Sequence, residues 1–391
     1  MMITENKNSF VPELLLAFYL FGFTLLRPVL IIAGTRSSSV LFLFILALIS
    51  VLVLDIIRRQ RVCLNAVWFM AFCAMCVFIL DYVFRNNSFS GKYLYEFIYR
   101  ALVPIIILSQ IKNSRKFLYY YSIFSVITFV IFCLDPLQGY KISGDYMDFG
   151  FAVAIPSFFG MYLACHYFKM RWVFPLEIFC AIETLVFANR SAFLSVIVFV
   201  LFTLILWRKS TLKRMVIYLV LLVSAFIVSV NISSLFTFTY DLVGRMGISS
   251  YALDSVHEYV LDNDVLNLPT GREEIWEMAR DVIKERPLFG HGMGILEARW
   301  GFYSHSIYYD VILFYGYMGL IVVFLLLINS VRKTIPACLD NKILAVLFFC
   351  LWCPKLIFST YFIKEPAFWC FIAFGFMVHQ LELACTESKT K

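Results

Sequence analysis

Long apolar runs alternate with short polar ones along nearly the whole chain. Twelve stretches are built mainly of Leu, Ile, Val, Phe and Tyr: residues 11–33, 40–57, 62–83, 94–111, 117–134, 149–168, 172–187, 192–207, 215–230, 306–329, 343–359 and 367–383. A helix rises about 1.5 Å per residue and the bilayer's hydrocarbon core is about 30 Å thick, so about 20 apolar residues cross it. The pattern predicts an all-α, polytopic membrane protein of about 12 transmembrane helices. Runs 172–187 and 192–207 are short and flank Arg190, so that pair is open to being broken or re-entrant.

The polar stretches alternate in charge. One set holds Arg58, Arg59 and Arg61, then Lys112 to Lys116, Lys169 to Arg171, Arg208 to Arg214, Arg332, Lys333 and Lys342, and the tail with Lys389 and Lys391. The intervening stretches are poorer in clustered cations. Basic clusters stay on the cytoplasmic side, so both termini are expected there, as twelve crossings require. No A-x-A-like cleavage site follows the N-terminus, and the first helix is expected to remain as an anchor. The chain divides into helices 1–9 (residues 1–230), a long outer loop (231–303) and helices 10–12 with a cytoplasmic tail (304–391).

The outer loop carries its own helix signal. Thr270 and Glu273 have capping-box spacing. Ile275, Met278, Ala279, Val282 and Ile283 then fall on one helical stripe. Pro287 ends the pattern, and Gly290, Gly292 and Gly294 suggest a flexible turn. An amphipathic helix over 271–286 follows, with its apolar face on the bilayer surface or capping the bundle.

Composition agrees with this reading. Hydrophobic residues make up 62% of the 391 and charged residues 15%, against roughly 45–50% and about 25% in soluble domains. The net charge of +7 is spread over the basic clusters between apolar runs, so it marks topology and no nucleic-acid partner. Most of the 11 Cys lie inside apolar runs. The pairs Cys73/Cys76 and Cys350/Cys353 read as small apolar residues one helical turn apart rather than redox or metal motifs. No carboxylate pair has convincing metal spacing; Asp262 and Asp264 read as solvated. Neither a metal nor another cofactor is expected.

Four short motifs follow in order. They are Thr270-Gly-Arg-Glu-Glu-Ile-Trp276, Pro287-Leu-Phe-Gly-His-Gly-Met-Gly294, Ser304-His-Ser-Ile-Tyr308 and Gly316-Tyr-Met-Gly319. Ala188-Asn-Arg-Ser191 precedes them between two apolar runs. Taken together, from about residue 187 to 319, they resemble the O-antigen ligase and polymerase superfamily; the first half of the chain matches only in hydropathy. The resemblance implies a bundle like that of the multi-span glycosyltransferases of the C type, and an undecaprenyl-diphosphate-linked oligosaccharide as donor. It implies a bacterial inner-membrane location with the site on the periplasmic face, lipid as a partner, and a chain-length regulator as a further one.

On that resemblance, Arg190, Arg272 and His305 are the expected catalytic residues. Arginine suits a diphosphate leaving group, being always charged and shaped to fit phosphate oxygens. Alone, each has a plainer account: an arginine snorkelling to lipid phosphate, a solvated helix face, an interfacial histidine. His305 could take the acceptor's proton or hold the diphosphate, and the base role is slightly favoured. Arg245, His291, Arg100, Arg27 and Tyr309 are the expected substrate-binding residues, with Lys355 behind them. Glu96 and Arg100, one turn apart, also suit an internal ion pair.

Three functions are in play. A polymerase would join lipid-linked repeats, inverting the anomeric centre without a metal. A ligase would move finished glycan to lipid A-core. A transporter would carry its polar groups at mid-membrane and be built of two related halves, and no internal repeat is visible. Asp241, Asp254, Glu258, Asp262 and Asp264 make the outer loop mixed in charge, which favours the polymerase over a ligase facing a phosphorylated core.

Overall fold

The structure, a computed structural model, describes residues 11–32, 38–59, 65–85, 87–188, 190–207, 232–245 and 272–390. Every long regular element among them is helical. In chain order these are α1 (Val11–Ile32), α2 (Ser38–Arg59), α3 (Ala66–Phe84), α4 (Ser90–Glu96), α5 (Val103–Ser109) and α6 (Ser114–Phe132). Then come α7 (Tyr146–Asp148), α8 (Ile155–Tyr162), α9 (Phe174–Phe187), α10 (Arg190–Trp207), α11 (Ile232–Arg245) and α12 (Glu273–Glu285). The last four are α13 (Ile295–Trp300), α14 (Ile307–Thr334), α15 (Leu339–Phe358) and α16 (Pro366–Thr390).

Eleven of the twelve apolar runs fall on these helices, and run 215–230 lies outside the described residues. Among the described residues, five stretches are long and apolar enough to cross a membrane: Val11–Ile32, Ala66–Phe84, Ser114–Gln138, Tyr146–Tyr167 and Ile307–Thr334. Their outward faces carry large apolar side chains, with Phe69 72% and Phe324 61% exposed. Such a surface is stable against lipid and costly in water, and the chain is a multi-pass membrane protein.

Local chemistry sets several helix starts. Asn65 accepts from Val67 N at the head of α3, and Asn113 accepts from Lys116 N at the head of α6, satisfying donors that a helix start leaves orphaned. Between α9 and α10 the chain opens at Ala188, whose backbone is extended. The pair around Arg190 is therefore two helices with a break.

Lipid tails are as apolar as leucine, so helices in a membrane associate through close packing and interhelical hydrogen bonds rather than hydrophobic burial. α6 crosses α8 where a Cβ on Gly160 would stand 2.2 Å from Ser125 Oγ. α14 crosses α16 where one on Gly375 would stand 2.4 Å from Ser330 Oγ. Aromatic side chains fill the interior between these crossings; Tyr19, Phe21, Phe97, Phe117, Phe159 and Phe348 are fully buried.

Polar contacts gather at the two ends of the bundle. At one end, Glu13 Oε1 accepts from the N–H groups of Lys112 and Asn113 at 2.9 and 3.0 Å, Tyr167 meets Asp340, and Cys338 N donates to Glu382. At the other, Arg27 meets Asp148, Tyr140 donates to the Phe187 carbonyl, and Tyr361 donates to Glu96. The second end holds the candidate site.

Among the described residues three π-helical turns interrupt the bundle: Phe97–Leu102, Phe149–Ala154 and Leu163–Tyr167. The first overturns the expected Glu96–Arg100 ion pair. It begins directly after Glu96, contains Arg100 and breaks the register that aligns i and i+4 on an α-helix. Glu96 instead accepts from the Tyr361 hydroxyl, and Arg100 donates to Tyr99 Oη at 2.9 Å.

Candidate functional site

α12 is the expected amphipathic helix, buried along Ala279, Val282 and Ile283 and packed against α14. Its start differs from the capping-box reading. Arg272 stands just before the first turn, its carbonyl accepting from Trp276 N at 2.8 Å, so Glu273 opens the helix instead of sitting at its third position. Thr270 lies outside the described residues. Glu273 and Glu274 still suit the positive end of the helix dipole.

The glycine-rich turn after α12 is a fixed structure, which corrects the flexible reading. α14 is broken at Gly316, with φ 68° and ψ −169°, and the turn docks in the break. His291 N donates to the Leu313 carbonyl at 2.7 Å and Gly292 N to Phe314 at 3.0 Å, while Tyr317 N donates back to Pro287 at 2.8 Å. The backbones are too close for side chains: a Cβ on Gly316 would lie 2.2 Å from Leu288 C, and one on Gly290 2.6 Å from Phe314 C.

α3 clasps the same turn. Arg85 Nη1 donates to the Phe289 carbonyl at 2.7 Å and to Phe314 at 3.1 Å, and Asp81 Oδ2 accepts from Met293 N at 2.8 Å. Asp81 and Arg85 escaped the sequence reading because their partners lie more than 200 residues away. Their one signal was two opposite charges four residues apart at a helix end.

This clasp carries α12 to the head of α14. Trp276 Nε1 donates to the Ser304 carbonyl at 3.0 Å, and its ring stacks on Tyr309 with centroids 5.8 Å apart. Ser304 Oγ donates to Asp310 Oδ1 at 2.6 Å, and Asp310 is 1% exposed. The turn so fixed holds His305 at φ 58°, a left-handed conformation uncommon for a side-chain-bearing residue and often found at functional sites. Asp310 is a further residue the sequence reading passed over.

His305 Nδ1 lies 3.1 Å from the Ser359 carbonyl. A carbonyl can only accept, so Nδ1 carries the proton and Nε2 keeps its lone pair. Among the described residues Nε2 has no hydrogen-bond partner. The ring lies 4.1 Å from that of Tyr303, which leans on Tyr361. Burial first, then the nearby Arg272 charge, push the His305 pKa below its ordinary 6.5; the hydrogen bond to Ser359 opposes them. The ring is neutral near pH 7.

Arg272 acts on this histidine directly, and further cations stand at the same end of the bundle. Arg272 is half-buried and its charge reaches Tyr146, Tyr303 and His305. Arg100 Nη1 lies 3.5 Å from the Lys364 carbonyl, its guanidinium over the Phe23 and Tyr99 rings. Burial, Arg100 and Lys355 all depress the Lys364 pKa. Lys355 pairs with Glu365 at 2.6 Å, and Lys92 with Glu297 at 3.3 Å. Arg27 pairs with Asp148 at 3.0 Å, and Asp148 is within electrostatic reach of Tyr303 and Lys364. Sequence reasoning also missed Lys364; it lies in the short link between α15 and α16, with no motif around it.

The structure thus brings Arg272, His305, Arg27 and Arg100 to one end of the bundle, with Tyr309 locked against α12. Arg190 opens α10 at that end, and its side chain falls outside the described atoms. His291 is placed away from open space: its Nε2 donates to the Val282 carbonyl at 2.9 Å and its side chain is 7% exposed. Arg245 sits at the exposed end of α11.

The described residues thus form a helical membrane bundle with a neutral histidine and several cations at one end. Residues 178–324 match the family model described as O-antigen ligase, and the match supports the O-antigen ligase and polymerase superfamily. It runs from α9 to the middle of α14 and encloses Arg190, Arg245, Arg272, His291, His305 and Tyr309. No curated protein and no solved structure matches the chain.

Proposed function

We propose that the protein is a polymerase that transfers a glycan from undecaprenyl diphosphate to a hydroxyl of a second lipid-linked repeat unit, on the outer face of a bacterial inner membrane. The reading is carried by His305, whose Nδ1 is held by the Ser359 carbonyl beside Arg272. Its unpartnered Nε2 is the general base for the acceptor hydroxyl. The O–H proton passes to Nε2 as the oxygen attacks the anomeric carbon. The carbon–oxygen bond to the diphosphate breaks on the opposite face, so the configuration inverts.

The leaving diphosphate takes up the electron pair. Arg272, with Arg100, Lys364, Arg27 and Arg190 at the same end of the bundle, supplies the positive field that stabilises it. No step requires a metal. Tyr303 and Tyr361 offer ring faces to a sugar. The collection of these groups at one end favours a transferase over a carrier with a mid-membrane site.

The ligase is kept as a second reading because the matching family model carries that description. The two differ in acceptor, and a gel of surface polysaccharide from a strain lacking the gene separates them. A single repeat on the core without the long ladder is expected for the polymerase. Full-length polymer accumulating on the lipid carrier, with none on the core, would assign the ligase.

A further inference from the structure

A second cluster of reactive side chains lies at the opposite end of the bundle. Tyr146 is near Arg272, and Cys165 follows it by 19 residues along the stretch Tyr146–Tyr167, a helical rise of about 28 Å. There the π-helical turn Leu163–Tyr167 sets Cys165 and His166 side by side, facing Glu177 on the first turn of α9. One ligand atom from each, a sulfur, a ring nitrogen and a carboxylate oxygen, lies within 4.8 Å of the other two.

Glu177 gives the independent sign. It is 6% exposed. Its Oε1 meets His166 Nε2 at 3.1 Å, its Oε2 is buried beyond hydrogen-bonding distance of any donor among the described residues, and the Cys165 thiol is close enough to interact with the carboxylate. A buried carboxylate oxygen left unpaired costs on the order of 1–3 kcal/mol or more, and native interiors seldom leave one so. The surrounding wall is aromatic, with Tyr162 at 4.5 Å, Trp207 at 6.4 Å and Phe174 at 6.5 Å from the His166 ring. π-turns are themselves frequent at functional sites.

We propose that Cys165, His166 and Glu177 form a three-ligand site for a divalent cation of the zinc class, with a fourth position open on the half-exposed side of His166. Thiolate, imidazole and carboxylate together suit Zn²⁺, which binds them at about 2.0–2.3 Å in tetrahedral geometry. Ligand atoms then stand roughly 3.3–3.7 Å apart, so rotamer adjustments of about 1 Å close the set. Binding releases the thiol proton and any proton on Glu177. The resulting Zn²⁺, thiolate and carboxylate sum to zero charge, which suits a site walled by rings with Lys169 and Arg171 near Cys165. The site is independent of glycan transfer: it lies at the other end of the bundle and shares no residue with that reading.

Cobalt titration of the purified, metal-free chain in detergent tests it, because a thiolate–Co²⁺ bond gives a near-ultraviolet charge-transfer band. One equivalent of Co²⁺ should raise that band, and Zn²⁺ should displace it. Cys165→Ser should abolish it; His166→Gln and Glu177→Gln should each weaken binding at least tenfold. A band unchanged in Cys165→Ser would assign the metal to another cysteine and overturn the site, as would absence of any band in the native chain. Where a variant fails to fold, the native chain still decides. Zn²⁺ should slow alkylation of Cys165, read by peptide mass spectrometry, and an unchanged rate would also overturn the proposal.

Discussion

His305 combines three properties rarely found together: a left-handed backbone, a fixed tautomer and a pKa pushed below that of a free histidine. Loss of a general base lowers rate by typically 10²–10⁴, so His305→Ala should lose product by that order while protein stays in the membrane, compared by in vitro polymerisation and immunoblot. The pH dependence has a definite sign. A base must be unprotonated, and this one protonates only below about 6.5. The acid limb of kcat/KM should therefore lie below that value, and a limb above it would remove His305 from the base role. The same depressed pKa makes the folded state resist protonation, so any stability linked to His305 is kept above about 6.5 and lost as pH falls below.

Arg272→Ala should abolish long-chain product, and Arg190→Ala should do the same. Arg272→Lys keeps the charge and loses the planar fork, so it should recover only part of the activity. Normal-length polymer from both alanine variants would remove the diphosphate site.

At the scale of elements, the junction of α12, the glycine turn and the broken α14 decides whether those residues meet. Gly316→Ala places a methyl group against the Leu288 backbone at a φ that alanine adopts only with strain. Backbone strain of this kind costs about 1–3 kcal/mol before the clash is counted. The variant should melt several degrees lower in detergent, or fail to accumulate. Trp276→Phe is gentler: it keeps the ring against Tyr309 and removes the donor to Ser304. A loss of about 1 kcal/mol is expected, with activity falling more than melting temperature because Ser304 adjoins His305. Equal falls would make Trp276 a purely structural tie.

The sequence made the α12 stripe, its end before Pro287 and the apolar runs legible, because these are local patterns of period and punctuation. Three things stayed hidden. The register of the α12 start depended on the tie between Trp276 and Ser304. The partner of Glu96 depended on a π-turn that no residue type announces. The clasp of Asp81 and Arg85 joined segments far apart in the chain. The Cys165, His166 and Glu177 cluster was invisible for the same reason, since no familiar ligand spacing connects them.

For the whole molecule, the polar contacts divide into two sets with an apolar, aromatic middle between them. Lys169, beside Cys165, and Lys364, near the candidate transfer site, should therefore face opposite sides of the membrane. Single cysteines placed at those positions in a cysteine-free background should react with an impermeant maleimide from opposite sides of oriented vesicles. Labelling of both from one side would refute the proposed topology.

The break in α14 also bears on how the chain is made. Lipid offers no hydrogen-bond donor to the Phe314 carbonyl freed at Gly316. Its donors are Gly292, synthesised some twenty residues earlier, and Arg85, synthesised more than two hundred residues earlier. α14 therefore holds its broken form only with the glycine turn and Arg85 in place, so the shape of a late helix depends on a residue from the third one.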